Sequence, residues 1–285
     1  MTAARRKAFW AALCAIAGSI GAASAAWAAK PEPWQMGFQP AASTVMEAID
    51  KFHDILLVII TAITVFVLAL LLYVVWRFRE KRNPTPSKTA HNTTLEVAWT
   101  VIPVLILVFI AFKSFPLLYY TDVTPEPELT IKATGHQWYW SYEYPDDGNF
   151  TFDAYMIADD DIDPSKGQLR LLETDNRVVV PVDTVVRIQM TAADVLHAWA
   201  VPAFGVKEDA VPGRLNESWF KATKEGVFYG QCSELCGNGH AYMPIAVEVV
   251  SKEQYRQWVT EAQTKFARAD GTPPAADVAQ NDSDN

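Results

Sequence analysis

The stretch that decides the reading of this chain is Tyr229-Gly-Gln-Cys232-Ser-Glu234-Leu-Cys236-Gly-Asn-Gly-His240-Ala-Tyr-Met243-Pro244. From Cys232 to Met243 it gathers two thiols, an imidazole and a thioether, and Gly237 and Gly239 let it close into a compact loop. Such soft donors suit copper better than magnesium or calcium. Zinc sites pair closely spaced Cys with further Cys or His, a pattern in which methionine has little place. A Cys232–Cys236 disulfide is the plainer alternative in an oxidising compartment. His240 and Met243 in the same loop favour metal over a bridge. A mononuclear blue-copper site takes one Cys, two His and an axial Met. Here there are two Cys, and two thiolates can each bridge two ions, so a dinuclear centre is chemically natural. It needs a second imidazole from elsewhere. His197, in Asp194-Val-Leu-His197-Ala-Trp199, is the best candidate, although by itself it reads as a core histidine. A thiolate-bridged pair can exchange one electron with little change in geometry, which suits electron transfer. There is no Ser/His/Asp arrangement, phosphate loop or CxxCH, so neither independent catalysis nor an attached c-type haem is expected.

Around this loop, from Leu129 to Val250, the texture is that of strands. Val178-Val179-Val180, Thr184 to Met190 and Ala246 to Val250 are rich in β-branched residues, and glycines punctuate the segment. This predicts an all-β sandwich or barrel within a domain spanning 125–268. Gly135-His-Gln-Trp-Tyr-Trp-Ser-Tyr-Glu-Tyr144 reads as a strand with His136, Trp138, Trp140, Tyr142 and Tyr144 on one face. Most of that face is expected to be core packing, although an aromatic ring also suits a partner with an exposed cofactor edge. Ser251 to about Ala267 predicts an amphipathic helix capped by Ser251, with Tyr255, Trp258, Val259 and Phe266 as contacts. Residues 269–285 are a polar tail, expected to be disordered.

Upstream, two apolar runs dominate. Ile55 to Trp76 carries no charge and is long enough for a bilayer span, placed at 55–76. A second span is placed at 95–118. The loop 77–94 between them holds Arg77, Arg79, Lys81, Arg82 and Lys88 against a single acid, Glu80, which marks it as cytoplasmic. Thr93-Thr-Leu-Glu96 opens the second span. It reads first as a capping box, and Glu96 is also a candidate for proton uptake. Residues 30–54 are a polar, extracytoplasmic lead-in. Residues 1–29 resemble a cleaved signal: Arg5, Arg6 and Lys7, an apolar run, then Ala26-Trp27-Ala28 as a small-x-small site. Cleavage would remove Cys14 and shift the net charge from −9 to −12. An acidic surface argues against nucleic acid and favours a basic partner steered by the field.

Taken in order, the two spans, GHQWYWSYEY, LHAWAVPAFGVKEDAVPGR and YGQCSELCGNGHAYMP resemble cytochrome c oxidase subunit II of the bacterial and mitochondrial aa3 type, over about residues 45–260. The resemblance implies a two-helix transmembrane hairpin and a cupredoxin-like Greek-key barrel. It implies a dinuclear copper centre (CuA) on His197, Cys232, Cys236, His240, Met243 and the Glu234 carbonyl. The Glu234 side chain would face a Mg or Mn ion shared with subunit I. Electrons from cytochrome c would enter at Trp138, with Glu143, Asp153, Asp175, Asp194 and Asp209 as the acidic docking face. Glu96 would sit at the mouth of a proton pathway. Subunit I, other oxidase subunits, cytochrome c and membrane lipid are the implied partners, and the bacterial inner membrane the implied location. The chain departs from the family pattern in its termini and in the Asp146–Gln168 loop. A quinol-oxidase subunit II would share fold and anchors but lack the copper ligands. A copper-binding or assembly protein would leave the aromatic strand and acidic face unexplained. A structural domain with a disulfide would hold no metal.

Overall fold

The computed structural model describes residues 27–266. The expected signal lies outside these residues up to position 26, as does the expected tail.

Two long helices come first: α1, Thr44–Arg77, and α2, Thr93–Asp122. At 1.5 Å per residue they are about 51 and about 45 Å long, beyond the ~30 Å hydrocarbon core of a bilayer. None of the residues in their most apolar windows is buried, so Val, Leu, Ile and Phe face outward on all sides. Such helices belong in hydrocarbon, and the protein is membrane-anchored through them. They meet at an apolar cleft lined by Val58, Ala62, Ile102, Leu105 and Phe109.

Both helices run past the apolar segments read from sequence. α1 begins at Thr44, inside the polar lead-in, because its first turns dock on the β-domain. Ser43 caps it: its hydroxyl accepts from Met46 N (2.9 Å) and donates to the Phe204 carbonyl (2.7 Å). Val45 and Met46 are buried there. At the same end of the hairpin, where α2 finishes, Trp219 meets Tyr120 edge-on at 5.2 Å and donates to its carbonyl (3.2 Å). The cap of α2 is also displaced by one residue. Asn92, not Thr93, accepts from Leu95 N (3.1 Å), while Glu96 Oε1 accepts from Asn92 N (3.2 Å).

The outer domain contains strands β1 (Trp27–Ala29), β2 (Leu129–His136), β3 (Tyr139–Tyr144), β4 (Phe150–Ala154), β5 (Val178–Pro181), β6 (Val185–Ala192), β7 (His197–Val201), β8 (Val206–Ala210), β9 (Asn216–Lys221), β10 (Gly226–Cys232) and β11 (Pro244–Val250). One sheet has the order β4-β3-β2-β6-β9, the other β5-β11-β10-β7-β8 with β1 also on β10. The sheets form a cupredoxin-like sandwich, or half-barrel. Its core holds Trp140, Tyr142, Tyr144, Trp199, Phe204, Phe220 and Phe228. β6 shows the underlying alternation: Val186, Ile188, Met190 and Ala192 point inward, and Arg187 and Gln189 do not. The last helix, α3 (Lys252–Lys265), carries the expected Ser251 cap, completed by Gln254. Trp258 of α3 meets Phe150 edge-on, and the following Phe266 stacks on it.

The aromatic strand differs from its sequence reading. It is two strands joined by a tight turn at Gln137–Trp138, with His136 facing Tyr139 across the hairpin. Trp140, Tyr142 and Tyr144 share the buried face, while His136 and Trp138 do not belong to that run. Gln137-Trp138 lacks the Gly, Asn or Asp that marks short hairpin turns. Bonds from other parts of the domain hold it instead, and these lead to the functional site.

Candidate metal centre

β7 begins with His197 and β10 ends with Cys232, on strands that pair through Trp199 and Cys232. The sheet therefore sets the His197 Nδ1 to Cys232 Sγ distance, 3.8 Å. His197 is fully buried. Its ring occupies the space beside Gly135, where a Cβ would lie 2.8 Å from ring carbons. The chain then leaves the sheet. Cys232 N donates to Met243 O (3.2 Å) at the base of the loop, and Ser233 N donates to Ala198 O (3.0 Å). A 3-10 turn at His240–Tyr242 brings His240 Nδ1 to 3.6 Å from Cys236 Sγ. Met243 Sδ lies 3.5 Å from the same sulfur.

The donors fall into two groups. His197 Nδ1 and the Glu234 carbonyl (3.4 Å) surround Cys232, while His240 and Met243 surround Cys236. The two sulfurs are 3.9 Å apart and both thiols are free. The donor atoms of His197, Cys232 and Cys236 lie within 4.8 Å of one another. The chemistry of this donor set, thiolate, imidazole and thioether, fits a soft cation such as copper.

Burial opposes ionisation of Cys232, but hydrogen bonds from His197, neighbouring backbone and His240 bring its thiol down to about 7. Burial and the adjacent Cys232 charge push Cys236 up to about 12. Ionisation is therefore easier at Cys232 than at Cys236, and metal binding would displace the protons that remain.

Asp194 has a role that its sequence reading as a docking acid missed. Its Oδ1 sits 2.9 Å from His197 Nε2 and accepts from Val195 N (2.6 Å), and its Oδ2 accepts from Gln137 N (2.7 Å). Burial would raise this carboxyl, but those partners hold it below the usual carboxylate range. A carboxylate on the far nitrogen fixes the tautomer and orientation of a ligand imidazole. The Asp194-x-x-His197 spacing carried this signal. The turn next to it clamps the loop: Gln137 Nε2 (2.8 Å) and Trp138 Nε1 (3.1 Å) both donate to the Cys236 carbonyl. The Trp138 ring lies against Gly237 and Gly239, and at Gly239 a Cβ would collide with it.

Comparison with known proteins identifies the family. Residues 129–250 match the family described as cytochrome C oxidase subunit II, periplasmic domain, and residues 31–117 match its transmembrane domain. A probable cytochrome c oxidase subunit 2 of Rickettsia bellii is 51% identical over 259 residues, covering 91% of this chain and 96% of that protein. The chain belongs to the cytochrome c oxidase subunit II family. Cytochrome c oxidase subunit 2 of Cereibacter sphaeroides is 51% identical over 249 residues, covering 82% of each chain. The crystal structure of the periplasmic domain of subunit II (CoxB) of Bradyrhizobium japonicum is 61% identical, with TM-score 0.48, over 51% of this chain and 100% of that one. As a subunit II, the protein is part of an oxidoreductase complex.

The remaining expected residues of this subunit II lie on several separate elements. Trp138 is half-buried. Glu143 is half-buried and paired with Lys132 at 3.4 Å. Asp153 is exposed and accepts from the Ser141 hydroxyl (2.6 Å). Asp175 accepts from the backbone of Tyr155 and Asn176 (both 2.8 Å). Asp209 is exposed on β8, opposite Ala198. Glu96 lies at the start of α2, far in sequence from the centre. Sequence reading also missed a buried polar cluster on the outer domain. Glu173, 1% exposed, accepts from Arg177 Nε and Nη2 (both 2.8 Å) and from Tyr229 OH (2.9 Å).

Proposed function

We propose that this chain accepts electrons from cytochrome c and passes them to the haem of subunit I, for reduction of O2 to water coupled to proton pumping. The observation that carries the reading is the split donor set, with one imidazole beside each of two neighbouring thiols. His197, Cys232, Cys236, His240, Met243 and the Glu234 carbonyl would hold a dinuclear copper centre, CuA. When bound, the copper pair supplies a one-electron relay of low reorganisation. The chain's own residues do the rest. Cys232 and Cys236 give up their protons. Asp194 holds His197 in place, and the buried surroundings of Cys232, Cys236 and Met243 exclude water.

Trp138 is the point where electrons would enter, since its indole N–H already bonds the Cys236 carbonyl. Asp153, Asp175 and Asp209, with Glu143 and Asp194 more nearly neutralised by their partners, would steer a basic cytochrome c. The Glu234 side chain would serve a Mg or Mn ion at the boundary with subunit I, and other oxidase subunits would complete the assembly. Glu96, at membrane depth, would open a proton pathway. The chain would sit in a bacterial inner membrane with lipid around the hairpin, and the basic loop supports an orientation with the N-terminus and outer domain on the periplasmic side.

Rapid mixing of the assembled oxidase with reduced cytochrome c tests this. Cys236→Ser should abolish fast haem reduction. Haem reduction at the unaltered rate in that variant would refute the proposal.

A further inference from the structure

The three residues of β1 lie where the sequence places the end of a cleaved signal. They pair in parallel with β10: Trp27 with Gly226, Ala28 with Val227, Ala29 with Phe228. On that side, β7 takes Gln231 and Cys232, so β1 supports the start of the strand whose end delivers Cys232. Ala29 is 1% exposed and belongs to the main hydrophobic core.

Cleavage after Ala28 would be at odds with this arrangement. It would remove two of the three register pairs. It would also create an α-ammonium on Ala29, and an unpaired buried charge is strongly unfavourable. The nearest upstream Ala-x-Ala, the form that such sites take, is Ala23-Ser24-Ala25; the overlapping Ser24-Ala25-Ala26 has serine in place of the first alanine. Cleavage there leaves Ala26 as the first residue and keeps β1 whole.

We propose that the signal is removed at the Ala25–Ala26 bond, and that Trp27–Ala29 is a structural strand of the mature subunit. The step is a hydrolysis by a secretory signal peptidase. Water supplies the hydroxyl of the new Ala25 carboxylate, and the amine of Ala26 takes up the proton. The proposal rests on the reading of the N-terminus as a secretory signal.

Intact-mass measurement and N-terminal sequencing of the subunit, purified within the oxidase from membranes, test it. The expected mature chain starts at Ala26. A start at Ala29, lighter by Ala26, Trp27 and Ala28, overturns the assigned bond while leaving a cleaved signal in place, as does any other processed start. A chain that keeps the N-terminal segment overturns the signal itself. Two variants sharpen the assignment. Ala28→Leu, which spoils the downstream site, should leave the Ala26 start unchanged. Ala23→Leu combined with Ala25→Leu should abolish it, and an Ala26 start surviving that change would contradict the proposal.

Discussion

The two halves of the donor set are held in different ways. His197 and Cys232 stand on paired strands, and the His197 ring is enclosed between Gly135 and the core. Cys236 and His240 stand on a loop, shaped by a turn from the other sheet that donates twice to the Cys236 carbonyl. One half is set by strand register, which cannot drift without unfolding the sheet. The other is set by a few side-chain bonds. Damage to the first half should therefore cost stability and metal together, and damage to the second should cost function before stability.

The largest effect expected is that of Gly135→Ala. Its Cβ would press on a ring that has nowhere to go, and overpacking of this kind costs about 1–3 kcal/mol. Thermal melting should fall and copper content drop. Unchanged copper would break the contrast. Next is Asp194→Ala, which frees His197 Nε2. Loss of such a supporting carboxylate typically lowers metal affinity about 10–100-fold, measurable by copper titration. Oxidation of cytochrome c at saturating copper should suffer less. On the loop side, Trp138→Phe removes one hydrogen bond of about 0.5–1.5 kcal/mol. Copper content should hold, while electron transfer from cytochrome c slows. If both fell together, the loop would be as rigidly built as the strands.

The smallest effects concern docking. Asp153→Asn should raise the KM for cytochrome c more than Glu143→Gln, because Lys132 already pairs with Glu143. Exposed charges of this kind are each worth about 0.2–1 kcal/mol. Raising salt should weaken both the unaltered protein and the variants. An equal KM at low and high salt would count against the acidic face.

What was legible in the sequence was whatever depends on local pattern or on donor chemistry. The apolar runs, the β texture, the Ser251 cap and the soft donors of the loop are of this kind. What was not legible depends on contacts across the chain. The turn at Gln137–Trp138 has no turn residue, because Asp194 and the Cys236 carbonyl hold it. Asp194 is exposed, as a docking acid needs to be, but its bond to His197 forms only when β7 starts at that histidine. Polar residues before Ile55 did not look helical, because their partner is the β-domain and not the bilayer. The cap of α2 fell on Asn92 rather than Thr93, a choice between two good capping residues that local sequence hardly separates.

The most direct test of the central claim is copper content together with electron paramagnetic resonance on the purified, copper-loaded chain. The account predicts two coppers per chain, with hyperfine structure showing one electron shared over both nuclei. A single copper with a simple blue-copper spectrum, or no copper and a Cys232–Cys236 disulfide, would contradict it.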